Sequence, residues 1–268
     1  MADIPPSSLS RQEIERLVQD SAAVLRRGDL NAAHAVAGKA IAAGAEHPFL
    51  LKVTALWLHA NGQYRDALRT FHHARQLTPG DPTILNGIAG CLAGMGAYEE
   101  ALKIIDASFE LNPDAATTHH LRGWIQEAAH DLPAAKESYE RTLSLSRDHV
   151  QALAGLASVA VQQGDFTSSR ERAAQALALD PHQPTATIAL ATVEIRQGEA
   201  VAAEARLRGL LSAASLPAKP RAMALGALGD ALDAQSRATE ALAARQERDE
   251  ILRAAAPAPS PAGDPEPS

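Results

Sequence analysis

Between residues 48 and 81 the apolar positions follow two different helical patterns. From Leu51 to Leu58 they occupy more than one face, which is typical of a helix packed between neighbours. Asn61-Gly62-Gln63 interrupts this pattern. From Tyr64 to Leu77 the apolar residues return at three- and four-residue steps, which predicts a helix with one buried face, and Thr78-Pro79-Gly80 ends it. The segment therefore predicts a helical hairpin.

The same pattern recurs along the chain at a step of 34 residues. Glycine follows this step, with one place skipped, at Gly28, Gly62, Gly96, Gly164 and Gly198. A small residue follows it at Ala33, Ala67, Ala101, Ala135, Ser169 and Ala203. A spacing this regular indicates a tandem array of one structural unit.

We divide residues 14–255 into seven units, which are 14–47, 48–81, 82–115, 116–149, 150–183, 184–217 and 222–255. The seventh unit is displaced by four residues, after the proline-containing segment 212–220. Its last helix, 238–254, is crowded with charged side chains, which suits a terminal helix that faces water. We expect residues 1–13 to form a partly disordered lead and residues 256–268 a disordered Pro/Ala-rich tail.

The residues at the repeated positions resemble those of the tetratricopeptide repeat family. The family pattern of glycine, aromatic, alanine, aromatic, alanine and closing proline is present in Gly62, Tyr64, Ala67, Phe71, Ala74 and Pro79. The fourth unit departs from it, with His130 in place of the turn glycine and Arg147 in place of the closing proline. The resemblance implies an all-α fold, a right-handed α-solenoid of about seven hairpins whose first helices line a concave groove.

Composition and charge limit the functions that the chain can have. Aromatic residues make up only 3% of the chain, so the core is expected to be mainly aliphatic. A net charge of -7, with no stripe of basic residues, argues against nucleic acid as a partner. The single cysteine, Cys91, is expected to be a buried small hydrophobe. No stretch is long enough to span a membrane and no secretory signal opens the chain, so we expect a cytoplasmic protein.

Motifs for catalysis and for metal or cofactor binding are missing, so we expect no enzyme activity, no cofactor and no metal. Glu127 and His130 have the spacing of a di-iron motif, but no second copy exists. The adjacent histidine pairs 72–73 and 119–120 point about 100° apart on a helix, so neither pair chelates from one face. Gly87, Gly90 and Gly94 indicate either close helix packing, which we favour, or a groove floor left bare for a ligand.

The family resemblance directs the fifth residue of each unit into the groove. These residues are Val18, Lys52, Asn86, His120, Ala154 and Ile188. Lys52, Asn86 and His120 therefore form a polar row, with Trp124 one turn beyond His120 and with His59 and Glu127 further along their helices. We expect these six residues to bind an extended peptide or protein segment, with Trp124 as an aromatic anchor and Lys52 favouring an acidic group. The alternative is a solvated groove that carries polar residues without a ligand.

Two functions follow from the resemblance. The first is a non-catalytic scaffold that binds a protein or peptide in its groove. The second is the recognition arm of an enzyme whose catalytic part lies elsewhere, because residues 215–232 resemble the last repeat of bacterial arrays that precede a sulfotransferase domain. The Gly-rich sulfonucleotide-binding loop of such a domain is missing here, so no transferase activity is assigned.

Overall fold

The computed structural model describes residues 9–213 and 216–255. Within these residues it contains fourteen α-helices and no β-strand, as the hydrophobic pattern predicts. The expected disorder at residues 1–8 and 256–268 falls outside the described part of the chain. The structure divides into two compact units, residues 1–159 and 160–268, which we call the N-terminal and C-terminal units.

The N-terminal unit is a stack of helical hairpins. Its helices are α1 (Arg11–Arg26), α2 (Leu30–Ala42), α3 (Pro48–Ala60), α4 (Tyr64–Leu77), α5 (Pro82–Gly94), α6 (Tyr98–Leu111), α7 (Ala116–Ala128), α8 (Leu132–Leu145) and the first part of α9 (Val150–Gln162). The two helices of each hairpin from α1 to α8 pack against each other, and α2, α4 and α6 each pack on the next hairpin. The helix α1 begins at Arg11, within the segment assigned to the lead.

Successive first helices of the N-terminal unit also contact one another. Contacts join α1 to α3, α3 to α5 and α5 to α7, whereas α2, α4 and α6 make none among themselves. The first helices are therefore closer together than the second helices, and the stack curves toward them. The concave side of this unit is lined by first helices, as the resemblance implies.

The C-terminal unit contains the remaining helices. They are α10 (Phe166–Leu179), α11 (Pro184–Arg196), α12 (Ala200–Leu211), α13 (Ala218–Ala234) and α14 (Ala238–Ala255). One buried cluster joins α11 and α12 to the last hairpin, with Leu207 and Leu210 of α12 packed beside Leu225, Leu228 and Leu232 of α13. The helix α13 begins at Ala218, four residues before the seventh unit as the sequence divides it.

Each repeated glycine ends a first helix. Gly28, Gly62, Gly96, Gly164 and Gly198 have φ between 74° and 85°. This left-handed conformation costs little for glycine because it has no Cβ. Where the glycine is missing, His130 and Ser236 adopt the same conformation, with φ of 62° and 60°. The 34-residue step of the glycines is thus a step between equivalent turns.

The glycines within α5 are required for close packing. A Cβ on Gly87 would lie 2.2 Å from the ring of Phe71, and one on Gly94 would lie 2.6 Å from the ring of Tyr64. A Cβ on Gly90 would lie 3.2 Å from Nε2 of His59. The packing interpretation of these glycines is therefore confirmed, and a bare groove floor is not needed to explain them.

The residues that precede the first helices also recur at the repeat step. His47 Nδ1 accepts from the Phe49 amide at 3.2 Å, and an oxygen of Asp81 accepts from the Thr83 amide at 2.8 Å. His149 Nδ1 accepts from the Ala152 amide at 3.3 Å, and Gln183 accepts from the Ala186 amide at 3.0 Å. At the equivalent place before α7, Ala115 has no side-chain acceptor. The side chains of His47, Asp81 and Gln183 satisfy amides that the helix itself leaves without a partner, whereas the Ala152 amide also donates to the His149 carbonyl oxygen at 3.0 Å.

Candidate functional site

The six candidate residues lie on three neighbouring first helices of the N-terminal unit. Helix α3 carries Lys52 and His59, α5 carries Asn86, and α7 carries His120, Trp124 and Glu127. Because α3 contacts α5 and α5 contacts α7, the structure brings these side chains to one layer of the unit. Their individual contacts decide what each of them offers to a ligand.

Lys52 is paired with the following hairpin. Its Nζ lies 3.0 Å from an Asp81 carboxylate oxygen and 3.0 Å from the Thr83 hydroxyl, and its side chain is only 20% exposed. Burial alone would raise the pKa of the Asp81 carboxyl, but hydrogen bonds from Thr83 and Lys52 together lower it. The charge of Lys52 is thus already compensated. A long side chain can reach the next repeat, and Lys52 does so by pairing with Asp81. This ion pair weakens the expectation that Lys52 selects an acidic group on a ligand.

Asn86 joins α5 to α7. Its Nδ2 donates to the Thr118 hydroxyl at 2.9 Å, and its Oδ1 is buried with no hydrogen-bond partner. The bond connects positions 32 residues apart, so it links one repeat to the next. Asn86 therefore has a fixed orientation on the layer of first helices.

His120 stacks on a second histidine. Its ring lies 5.0 Å from that of His149, which precedes α9, and 5.8 Å from that of Tyr139 on α8. Burial is the main cause that lowers the pKa of His120 to about 4, and the neighbouring His149 lowers it further. His120 is therefore neutral at pH 7 and offers an imidazole rather than a cation.

Glu127 and His59 lie deeper along their helices. The carboxylate of Glu127 accepts from the Tyr139 hydroxyl at 2.8 Å and from the Ser158 hydroxyl at 2.6 Å. The ring of His59 meets Tyr64 edge-on at 5.3 Å, and burial lowers the pKa of this histidine. Both side chains are thus held within the hairpin stack.

Trp124 is half-buried between two core clusters. It packs against the cluster that contains Ala93 and Ile125, and also against the one that contains Tyr139 and Leu156. The repeat position of this residue predicts a groove anchor, but its ring also fills space between successive hairpins. Aromatic rings commonly contribute much of the packing where they are buried.

The candidate residues therefore share a second property, which is that they link neighbouring hairpins. The hydrogen bonds of Lys52 to Thr83 and of Ser158 to Glu127 each span 31 residues, close to the 32 spanned by that of Asn86. For Lys52, Asn86 and Glu127 a residue about one repeat away thus supplies a partner. This regularity is visible in the sequence, but the rotamers that complete the bonds are not.

The described residues contain no group of three or more histidine, cysteine or acidic side chains that could hold a metal ion. Nor does any described helix combine the length and the apolar character needed to cross a membrane. The burial of Cys91 raises the pKa of its thiol to about 12. That thiol therefore stays protonated at neutral pH.

Sequence models of the tetratricopeptide repeat match residues 58–125, 120–184 and 160–219. The chain belongs to the tetratricopeptide repeat family. Repeat arrays of this kind bury a continuous core between neighbouring units and present an extended concave surface for binding. Membership in the family thus supports an interaction scaffold as the general role of this chain.

A curated relative of this tetratricopeptide chain is the Hsp70-Hsp90 organizing protein 2 of Arabidopsis thaliana. The two are 28% identical over 120 residues, which is 42% of this chain and 21% of the plant protein. The match therefore spans about a fifth of that relative's length.

Two solved structures resemble the tetratricopeptide fold seen here. A tetratricopeptide repeat protein from Parabacteroides merdae is 20% identical, with 90% of this chain and 93% of that chain covered and a TM-score of 0.63. A thermophilic tetratricopeptide repeat protein from Thermus thermophilus is also 20% identical, with 74% and 100% covered and a TM-score of 0.60. At this identity they show the fold alone, and the expected α-solenoid class is confirmed.

Proposed function

We propose that this tetratricopeptide chain is a non-catalytic scaffold that holds an extended peptide or protein segment against the first helices of its N-terminal unit. The observation that supports the proposal is the polar row of Lys52, Asn86 and His120. These residues occupy equivalent positions on α3, α5 and α7, and each is held by a neighbour. The alternative role, a recognition arm of an enzyme whose catalytic part lies outside this chain, uses the same face.

The fixed orientation of the row favours binding. A side chain that is already ordered loses little conformational entropy when a ligand arrives, whereas a free one costs about 0.5–1.5 kcal/mol. Lys52 uses two of its three N–H donors on Asp81 and Thr83, and Asn86 uses one of its two on Thr118. Each retains an N–H group for a carbonyl oxygen of an extended chain. Hydrogen bonds to a peptide backbone are therefore the proposed basis of recognition.

Charge does not supply the selectivity of this surface. The Lys52 cation is balanced by Asp81, and Glu127 adds a carboxylate further along α7. A ligand chosen for an acidic group would gain little from this row. We therefore propose that the bound segment is extended and that its carbonyl groups, rather than acidic side chains, meet Lys52 and Asn86.

The test begins with affinity purification of the full chain from its native cell and identification of the protein that co-elutes. Synthetic segments of that protein are then titrated calorimetrically against the wild type, Asn86→Ala, Lys52→Ala and the control Glu140→Ala. Glu140 is an exposed residue of the second helix α8. One lost hydrogen bond is worth about 0.5–1.5 kcal/mol, so the first two variants should bind roughly 2- to 10-fold more weakly, with the control unchanged.

Thermal unfolding of each variant separates binding from folding, because Lys52 and Asn86 also link hairpins. Titrations are compared at a temperature at which every variant is folded. Equal losses in Glu140→Ala and in the other two variants, or a loss in Glu140→Ala alone, would place the binding surface on another face.

A further inference from the structure

His149 caps the N-terminus of α9 through a nitrogen that must be unprotonated. Its Nδ1 accepts a hydrogen bond from the Ala152 amide at 3.3 Å, and the same amide also donates to the His149 carbonyl oxygen at 3.0 Å. An imidazole nitrogen accepts only when it carries no proton. Protonation would turn this acceptor into a donor. It would also place a positive charge at a helix N-terminus, where the helix dipole disfavours it.

The same imidazole meets a second histidine from the preceding hairpin. The rings of His149 and His120 are stacked, with their centroids 5.0 Å apart and their planes 30° apart. The two rings can stack at this distance while neither of them carries a charge. Two charged imidazoles at this distance would repel each other, so the stack between α7 and the start of α9 depends on their protonation.

The charges around the pair do not offset this repulsion. Among the described residues, neither imidazole forms an ion pair with a carboxylate. The titratable groups around the pair are Tyr139 on α8, at 5.8 Å from the ring of His120, and Glu127 on α7, which accepts the Tyr139 hydroxyl. Two further charged residues, Arg147 and Asp148, lie in the turn before α9, and their charges are opposite in sign.

We propose that His149 and His120 form a pH-responsive joint, at which protonation of His149 releases the first turn of α9 and separates it from α7. The proposal concerns the fold of this chain alone and does not depend on the proposed binding function. It assigns to the joint a loss of stability that begins near the ordinary histidine pKa of 6.5 and grows as the solution becomes more acidic.

The direction of the pH dependence follows from the burial of both rings. Burial lowers the pKa of His149 below its ordinary value of 6.5, although a hydrogen bond to its own backbone partly opposes this effect. Burial together with His149 lowers the pKa of His120 to about 4. A group whose pKa is lower in the folded state stabilises the fold while it is neutral. The contribution is complete above pH 6.5 and is lost as the pH falls toward the pKa of the folded state.

His47 provides an internal comparison. It lies at the same repeat position before α3, where its Nδ1 accepts from the amide two residues further on, that of Phe49, at 3.2 Å. Burial lowers the pKa of His47, but the Glu15 carboxylate opposes this effect because it favours the charged imidazole. Each of the two capping histidines thus has one opposing cause, the Glu15 carboxylate for His47 and a backbone hydrogen bond for His149.

The experiment measures amide hydrogen exchange in the first turn of α9, at Ala152 and Leu153, whose amides donate to His149, between about pH 7.5 and 4.5, a range that brackets the ordinary histidine pKa. Rates are divided by those of an unstructured peptide at the same pH, which gives the opening constant of the turn. Three full-length proteins are compared: the wild type, His149→Asn and His72→Asn. Asparagine caps a helix at every pH, and His72 is an exposed histidine of α4 that serves as the control.

In the wild type and in His72→Asn the opening constant should rise below about pH 6.5, by at most about tenfold for each pH unit. In His149→Asn it should stay nearly constant. A wild-type pH dependence that persists in His149→Asn would overturn the proposal. An NMR titration of the His149 ring in the wild-type chain decides the question even if the variant fails to fold. A midpoint at or above the ordinary value of 6.5 would also exclude the joint, and one clearly below it supports the joint.

Discussion

Replacing Gly87 on α5 by alanine is expected to destabilise the protein, although alanine is the better helix former. The new Cβ would lie 2.2, 2.5 and 2.7 Å from three carbons of the Phe71 ring. Phe71 is completely buried, so its ring has no free space into which to move. The clash must therefore shift the backbone of α4 or α5, or force the ring away from its preferred rotamer.

The magnitude follows from two opposing effects. Alanine in place of an interior helical glycine stabilises by about 1 kcal/mol. Overpacking of a dense core costs typically about 1–3 kcal/mol, and three contacts this short indicate the upper end, about 3 kcal/mol. The expected net loss is about 2 kcal/mol in the free energy of unfolding.

Gly38→Ala on α2 is the matched control. The nearest atom to a Cβ at Gly38 is on the His34 ring, 4.0 Å away, which is an ordinary contact. Only the helix-propensity gain remains, so Gly38→Ala should stabilise by up to about 1 kcal/mol. Both variants add one Cβ to a glycine inside a helix. The changes that they cause in the free energy of unfolding are predicted to have opposite signs.

Urea unfolding followed by far-ultraviolet circular dichroism measures both changes. A third protein, Gly87→Ala combined with Phe71→Leu, should show a much smaller effect of the alanine than the wild-type background does, because the clashing ring atoms are gone. If Gly87→Ala stabilised the chain as much as Gly38→Ala, the close approach of α5 to Phe71 would be refuted.

Three further predictions concern other parts of the chain. His130 has a left-handed φ of 62°, which costs a residue with a Cβ more than it costs glycine, so His130→Gly should stabilise the protein by about 1 kcal/mol. Gly164→Ala, at a φ of 78°, should destabilise it by a similar amount. Thermal or urea unfolding measures both changes. Arg206→Ala should destabilise by about 2 kcal/mol, because it leaves the carboxylate of Glu194, which is 3% exposed, without its 2.7 Å partner, and Arg206→Lys should restore part of the loss. Deleting residues 222–255 should cause aggregation in size-exclusion chromatography, since it uncovers Leu207 and Leu210, and a monomer as stable as the full chain would contradict this.

The periodic features of the chain are those that the sequence predicts well. A glycine at a fixed step marks a left-handed turn because few other residues adopt that backbone conformation without cost, and the φ values of Gly28 and Gly62 bear this out. The packing of α5 was likewise predictable, because three glycines inside one helix are unfavourable unless a neighbour needs the space. Backbone conformation and helix contact are local consequences of residue type.

The partners of the polar side chains were not predictable in the same way. The repeat register gives the position of Lys52 on α3, but a long, flexible side chain can turn either to a ligand or to Asp81 on the next hairpin. The caps at His47 and His149 were missed although they lie at the same repeat position as Asp81, because histidine is not among the preferred capping residues.

If the proposed segment binds to this row of residues, the links between hairpins couple its binding to the stability of the stack. In a repeat array each unit is stabilised mainly by its neighbours, so the bond from Asn86 to Thr118 contributes to the interface between two repeats as well as to the proposed binding face. A ligand that bonds to the second Asn86 N–H and leaves the first bond intact would stabilise the stack as it binds. Alanine at Asn86 would remove both contributions, and therefore its effect on affinity should be larger at temperatures close to the unfolding transition than well below it.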